Sequence, residues 1–351
     1  NGKRKRKLTK RKLLVLVSCT KPVISSKIII CGVGDRMRQK DHHKVEAFYD
    51  VLFETTSKLV VHLKLPYFKA LSLSVDYLLE GEVINDDLSP EIINEMNALY
   101  RQLDQSFERE EIRRAFQLCL LQGLKHENES LSMITPDSIG LLFAIIINAI
   151  YKEDKPLNIL DASVGSGNLL FTVLNHTNLK VDKLFGVDPS YLMLEVALAL
   201  AELLNYNIEF IHQDARNPLV VPSLDLVIAD LPDDFNDPEL PYRIVQNLIQ
   251  YVASGGYFVF LIPNDFFTRT GNDKMREIIL NETFMQGLIA LPEDLFQSAE
   301  VQKSILILQK RGEQVEITKD ILVFNFPSFQ DQEAVKQAIV KLQSWFNRAQ
   351  D

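Results

Sequence analysis

From Lys155 onward the chain alternates short apolar runs with helical segments. The runs are Leu157–Leu160, Lys183–Val187, Ile208–Ile211, Leu224–Ala229, Tyr257–Ile262, Gly287–Leu291 and Ser304–Leu308. Parallel strands cannot be joined by a tight hairpin and need a crossover long enough for a helix, so strand–helix alternation builds a mostly parallel sheet covered on both faces. The near-continuous apolar character of the runs fits strands buried on both faces. No full-length helix separates Gly287–Leu291 from Ser304–Leu308, which makes them a candidate antiparallel pair. The expected fold is α/β, a doubly wound sheet of seven strands.

Residues 41–151 carry a different period. Val45, Phe48, Val51 and Leu52 recur at helical spacing, as do apolar residues from Tyr67 to Leu79 and from Glu108 to Leu121. Ser89-Pro90-Glu91 has a capping hydroxyl, a proline at the first helical position and an acid in the first turn. Thr135-Pro136-Asp137 opens a longer apolar helix running to about Tyr151. Gln330–Arg348 is amphipathic, with Trp345 and Phe346 expected to dock on the core. These patterns divide the chain into a basic segment at 1–40, a helical N-terminal domain at 41–132, an α/β domain at 133–330 and a C-terminal helix at 331–351.

Charge is uneven. The chain has 38 basic and 47 acidic residues, a formal net charge of −9. Residues 1–40 hold thirteen basic residues against the single acid Asp35. The acidic remainder argues against broad, nonspecific duplex binding, which needs a basic surface. The basic head is either a source of phosphate contacts or a disordered tail. Cys19, Cys31 and Cys119 form neither a disulfide framework nor a zinc spacing. No apolar run approaches the roughly 18 residues of a membrane span. The apolar stretch Leu13–Val17 is shorter than the roughly 7–15 residues of a secretion signal, so a cytoplasmic protein is expected. His42-His43 are adjacent, face different ways on a helix and have no further ligands nearby, so no metal is expected.

The chemistry concentrates at the ends of the apolar runs. Asp161-Ala162-Ser163-Val164-Gly165-Ser166-Gly167-Asn168 follows the first run and opens a helix. Gly165 and Gly167 can adopt positive φ and let a ligand approach the backbone, and the helix N-terminus presents free N–H groups. A dinucleotide fingerprint needs a third glycine where this chain has Leu170. S-adenosylmethionine has no pyrophosphate to cradle and tolerates a side chain there, with Asp161 receiving its cationic amino-acid end. Asp188-Pro189 ends the second run, 21 residues past Gly167, a spacing suited to an acid on ribose hydroxyls. Asp214-Ala215 follows the third run, and Asp214 is a candidate acceptor for the adenine amino group. The cofactor-binding set expected from this segment is Asp161, Ser163, Gly165, Gly167, Asn168, Asp188, Pro189, Asp214 and Ala215.

The run D-A-S-V-G-S-G-N-L-L, then G-V-D-P, then Q-D-A, resembles class I S-adenosylmethionine-dependent methyltransferases with a Rossmann-like sheet. The resemblance is strongest to the adenine-N6 DNA methyltransferases and the modification subunits of type I restriction systems. I-T-P-D-S-I-G, I-P-N-D-F-F, L-I-A-L-P-E-D-L-F and K-S-I-L-I-L-Q-K extend it over roughly residues 133–310. With its helical N-terminal domain, the chain is similar to a smaller single-chain family of methyltransferase homologues in Gram-positive bacteria. The resemblance implies that Thr135 and Pro136 contact the methionine moiety.

It also implies that catalysis centres on Asp230-Leu231-Pro232-Asp233, where the resembled enzymes read [N/D/S]-P-P-[Y/F/W]. An exocyclic amine is a weak nucleophile, and in those enzymes the first side chain and the following carbonyl accept its N–H bonds while the aromatic stacks on the flipped base. Asp230 and Pro232 match. Leu231 replaces a proline, leaving its carbonyl available but less rigidly aimed. Asp233 replaces the aromatic, and Phe235 is the near substitute. Three functions stay open: adenine-N6 methylation of DNA, methylation of RNA, protein or a small molecule, and a silent module that only binds the cofactor. The chain has no room for a recognition domain after Pro232 or after Asn264, so a protein partner is a candidate source of target recognition.

Overall fold

The computed structural model describes residues 39–129, 134–152, 155–234, 236–296, 298, 301–313, 315 and 320–348. Packing divides these into two compact units, one of residues 39–129 with 202–205, the other of residues 134–201 with 206–348. Residues 1–38, with Cys19, Cys31 and most of the basic segment, lie outside the described residues, as does Phe235.

The first unit contains α1 (Gln39–Leu63), α2 (Tyr67–Glu80), α3 (Pro90–Tyr100) and α4 (Arg109–His126). The helical stripe of α1 is its buried face: Val45, Phe48, Val51 and Leu52 are all buried, and the Phe48 ring meets Phe107 edge-on at 5.0 Å. Local chemistry sets the ends. Ser89 caps α3 through the Ile92 N–H, with Pro90 at the first helical position. Glu108 and Glu111 form a reciprocal capping box at α4. Gly81 ends α2 in the left-handed conformation.

The second unit begins with α5 (Asp137–Ile150) and continues β1 (Leu157–Asp161), α6 (Asn168–Asn175), β2 (Val181–Asp188), α7 (Tyr191–Leu203), β3 (Glu209–His212), β4 (Leu224–Asp230), α8 (Leu240–Leu248), β5 (Val252–Pro263), α9 (Asn272–Glu282), β6 (Thr283–Ala290), β7 (Lys303–Lys310), β8 (Leu322–Asn325) and α10 (Gln332–Arg348). The sheet order is β3-β2-β1-β4-β5-β7-β6-β8. The first five strands run parallel, while β7 is antiparallel to both β5 and β6.

Among the described residues the sheet has eight strands rather than seven. β8 pairs in parallel with β6 at the edge. Its four residues alternate in burial, with Leu322 covered and Val323 72% exposed, so it lacks the continuous apolar signature of the inner strands. On α10, Phe346 is buried and Trp345 half-buried. Among the described residues no helix is long and apolar enough to cross a membrane.

Candidate active site

Strand order reverses at β1. The chain winds from β1 to β2 and β3 on one side and returns to β4 on the other, and such reversals open a crevice at the strand carboxyl ends. Three acids meet at this edge: Asp161 ends β1, Asp188 ends β2 and Asp230 ends β4. The turn after β1 is tied to both neighbours, because the Ala162 N–H bonds to the Ile228 carbonyl and the Val164 N–H to the Val187 carbonyl, each at 3.0 Å. Gly165 (φ 51°) and Gly167 (φ 83°) take the left-handed backbone that only glycine adopts cheaply. A Cβ on Gly167 would lie 2.5 Å from the Phe171 ring, whereas a Cβ on Gly165 would meet nothing within 4 Å. Gly167 is therefore demanded by packing, while Gly165 leaves open space over the turn. Asn168, first residue of α6, is buried and donates to the Thr135 carbonyl at 2.8 Å. That bond ties the Thr135-Pro136 segment to the turn.

Asp161 is fully buried. Its Oδ1 accepts the Ser163 N–H at 3.1 Å, and its Oδ2 has no donor among the described residues. Burial pushes this carboxyl up to about 8, the Ser163 bond opposing and the charges of Asp188 and Asp230 adding to the rise. A buried acid with an idle oxygen is suited to an ammonium group, which the amino-acid end of S-adenosylmethionine carries. Asp188 accepts the Gly165 N–H (2.9 Å) and the Ser190 N–H (2.8 Å); burial raises its pKa above the ordinary carboxylate value, and these two bonds only partly oppose the rise. Each of its oxygens keeps a lone pair for a ribose hydroxyl. Pro189 is exposed, and its carbonyl bonds to His212 Nε2 at 3.0 Å.

Asp214 lies just beyond β3 and is paired bidentately with Arg216, whose Nε donates to Oδ1 and Nη2 to Oδ2 and whose hydrogen bonds hold the carboxyl below the usual range. Arg216 also reaches Asp237 at 3.5 Å, and Asp237 pairs with Arg243. Asp214 is thus linked by charge to the segment after Pro232. Ala215 is buried, and its carbonyl accepts from Asn247 at 2.9 Å.

Asp230 is held from three directions. Its Oδ2 accepts the Thr135 hydroxyl at 2.8 Å, its Oδ1 pairs with the Lys303 ammonium, and its backbone carbonyl accepts the Ser163 hydroxyl at 2.7 Å. Leu231 is buried, its N–H bonded to the Leu261 carbonyl at 3.0 Å. Pro232 and Asp233 are exposed. Asp233, in the aromatic position of the resembled motif, is clamped by Arg269, whose Nη1 donates to its Oδ1 at 2.7 Å. Arg269 also pairs with Asp265 of the I-P-N-D-F-F segment. No group of three or more potential metal ligands clusters among the described residues.

A Bacillus subtilis (strain 168) protein, YtxK, is 33% identical over 331 residues, which covers 88% of this chain and 99% of YtxK. The chain belongs to the YtxK family. Residues 46–124 match the YtxK N-terminal helical domain. Residues 159–256 match a methyltransferase domain and residues 234–350 the N-6 DNA methylase family. A Listeria monocytogenes structure described as a candidate class I S-adenosylmethionine-dependent methyltransferase is 29% identical, with a TM-score of 0.77, covering 87% of this chain and 99% of that one. The methyltransferase subunit of a Streptococcus thermophilus type I restriction-modification system shares the fold at 16% identity, with a TM-score of 0.56 over 86% of this chain and 74% of that one. This YtxK-family chain therefore carries a methyltransferase domain of the S-adenosylmethionine-dependent class.

Two further side chains stand beside these strand ends, neither of them among the residues expected from the sequence. Tyr191 is 61% exposed three positions past Asp188 and meets His212 edge-on at 5.6 Å. Its signal in the sequence is an aromatic two positions past the motif G-V-D-P. Lys303 opens the K-S-I-L-I-L-Q-K strand, whose apolar pattern and family resemblance give the lysine itself no role. Its partner Asp230 lies 73 positions away, and nothing local marks the pairing.

Proposed function

We propose that the chain transfers a methyl group to an exocyclic amine, with adenine N6 of DNA as the leading acceptor. The observation that carries this reading is Asp230: a carboxylate anchored at the β4 terminus, adjoining the glycine turn through Ser163 and followed by Pro232. The match of residues 234–350 to the N-6 DNA methylase family supports it. S-adenosylmethionine supplies a methyl group on a cationic sulfur. Asp161 would take its ammonium end, Asp188 its ribose hydroxyls and Asp214 the adenine amine. Thr135, Pro136, Ser163, Gly165, Gly167, Asn168, Pro189 and Ala215 would shape the walls. Asp230 would accept an N–H of the acceptor and stabilise the positive charge that grows on its nitrogen, which favours the transition state over the ground state. The Leu231 carbonyl would take the second N–H.

A different acceptor, RNA, protein or a small molecule, is favoured by one observation. Where a stacking ring would stand, Asp233 is engaged with Arg269. That pairing removes much of the repulsion a carboxylate would exert on nucleic acid but offers no aromatic face.

Transfer of labelled methyl to duplex DNA, single-stranded DNA, RNA, protein and small amines separates these readings. Asp230→Ala should abolish turnover on the true acceptor and leave cofactor affinity within about twofold, because the side chain acts on the acceptor. Transfer that survives Asp230→Ala would refute the assignment, and a chain that binds cofactor but methylates no class would be a silent module.

A further inference from the structure

We propose that Lys303 is the positioning residue of the acceptor site, holding the Asp230 carboxylate at the angle from which it receives the amine. This rests on the reading of Asp230 as the acceptor's partner and names what fixes it there. In the resembled motif a proline follows the first residue and stiffens the strand exit. Here Leu231 follows, and a carboxylate at a strand end is free to rotate about its side-chain torsions unless something else holds it.

Lys303 does so from a rigid base. It is the first residue of β7, in register with Pro263 of β5, and its carbonyl accepts the Leu291 N–H at 3.2 Å. The ammonium takes Oδ1 of Asp230 while the Thr135 hydroxyl takes Oδ2. The two side chains are 23% and 19% exposed, so this is not one of the fully solvated surface pairs that contribute little. An ionised carboxylate has about four lone-pair sites, and these two contacts leave roughly one free on each oxygen. Lys303 thus aims Asp230 without filling it. It also sets a cation beside an edge that gathers Asp161, Asp188 and Asp230, offsetting their mutual repulsion.

The charge and the reach of the side chain are separable by substitution. Lys303→Met keeps the length of the stem and loses the ammonium, and Lys303→Arg keeps a charged donor. Both are made in the full chain, and calorimetry with S-adenosylhomocysteine checks that each variant still binds it like the wild type. In crystal structures with S-adenosylhomocysteine, Lys303→Met should release the Asp230 carboxylate from Thr135, and Lys303→Arg should keep it in place. In tritiated methyl transfer from S-adenosylmethionine to a single-stranded adenine oligonucleotide, Lys303→Met should lower kcat by about tenfold or more with KM for the cofactor within about twofold, and Lys303→Arg should recover most of the loss, as expected when geometry in the transition state is lost. A Met variant with unchanged kcat, a parallel loss of cofactor affinity, or a carboxylate that stays on Thr135 would overturn the proposal. If the wild type itself transfers nothing to the oligonucleotide, the adenine reading fails, and the crystal structures alone decide the role of Lys303.

Discussion

Replacing Asp161 by Asn should stabilise the unliganded protein while weakening its hold on the cofactor. The folded chain raises this carboxyl to about 8 from 3.8, chiefly by burial. Because the folded value lies above the unfolded one, the folded chain keeps this proton while the unfolded chain has lost it, and the penalty grows as pH rises from 4 to 8. At pH 7 the difference spans about three units, or about 4 kcal/mol at 1.36 kcal/mol per unit. Asn at this position has no ionisation to suppress, but its amide protons would replace an oxygen that has no partner, costing about 1–3 kcal/mol. The net gain is about 1–3 kcal/mol, worth roughly 2–10 °C in Tm for a unit of this size. Thermal melts of wild type and Asp161→Asn from pH 5 to 8 check this. The variant should melt higher at pH 8, and the gap should vanish near pH 5. The same substitution should weaken S-adenosylhomocysteine by roughly ten- to a hundredfold, since a charge-assisted bond to the ammonium contributes about 1.5–3 kcal/mol. A variant that melts lower at pH 8, or a gap independent of pH, would show that burial does not hold this acid neutral.

Asp188→Ala removes an acceptor from the Gly165 and Ser190 N–H groups as well as from the ribose, so calorimetry should show a roughly ten- to a hundredfold loss of S-adenosylhomocysteine affinity. Unchanged affinity would displace the ribose from this acid. Gly167→Ala forces a Cβ to 2.5 Å from Phe171 at φ 83° and should lower Tm with a cost of about 1–2 kcal/mol from backbone strain before any repacking. Gly165→Ala carries the same backbone strain at φ 51° but adds its methyl group to open space over the turn, so it should cost less stability than Gly167→Ala and lose more cofactor affinity. Equal effects on affinity and stability at both positions would contradict the distinction between a packing glycine and a ligand-facing one.

The sequence alone determined what repeats or is local. Alternating runs specify a mostly parallel sheet because a crossover helix is the short way to join parallel strands, and the structure contains one, with β7 antiparallel to β5 and β6. The glycine turn was legible because Gly165 and Gly167 adopt backbone that other residues resist. Asp161, Asp188 and Asp230 each announced a strand end, and the structure sets those ends on three adjoining strands. The eighth strand was invisible, since an edge strand of four residues with one covered face has too little apolar pattern to stand out. Pairings across the sheet were also beyond the sequence. Lys303 meets Asp230 only because β7 runs antiparallel to β5, and Arg269 meets Asp233 across 36 positions. A hydrogen bond between distant residues leaves no period and no propensity in either segment. Only the folded register of the sheet decides which acid a given cation will reach.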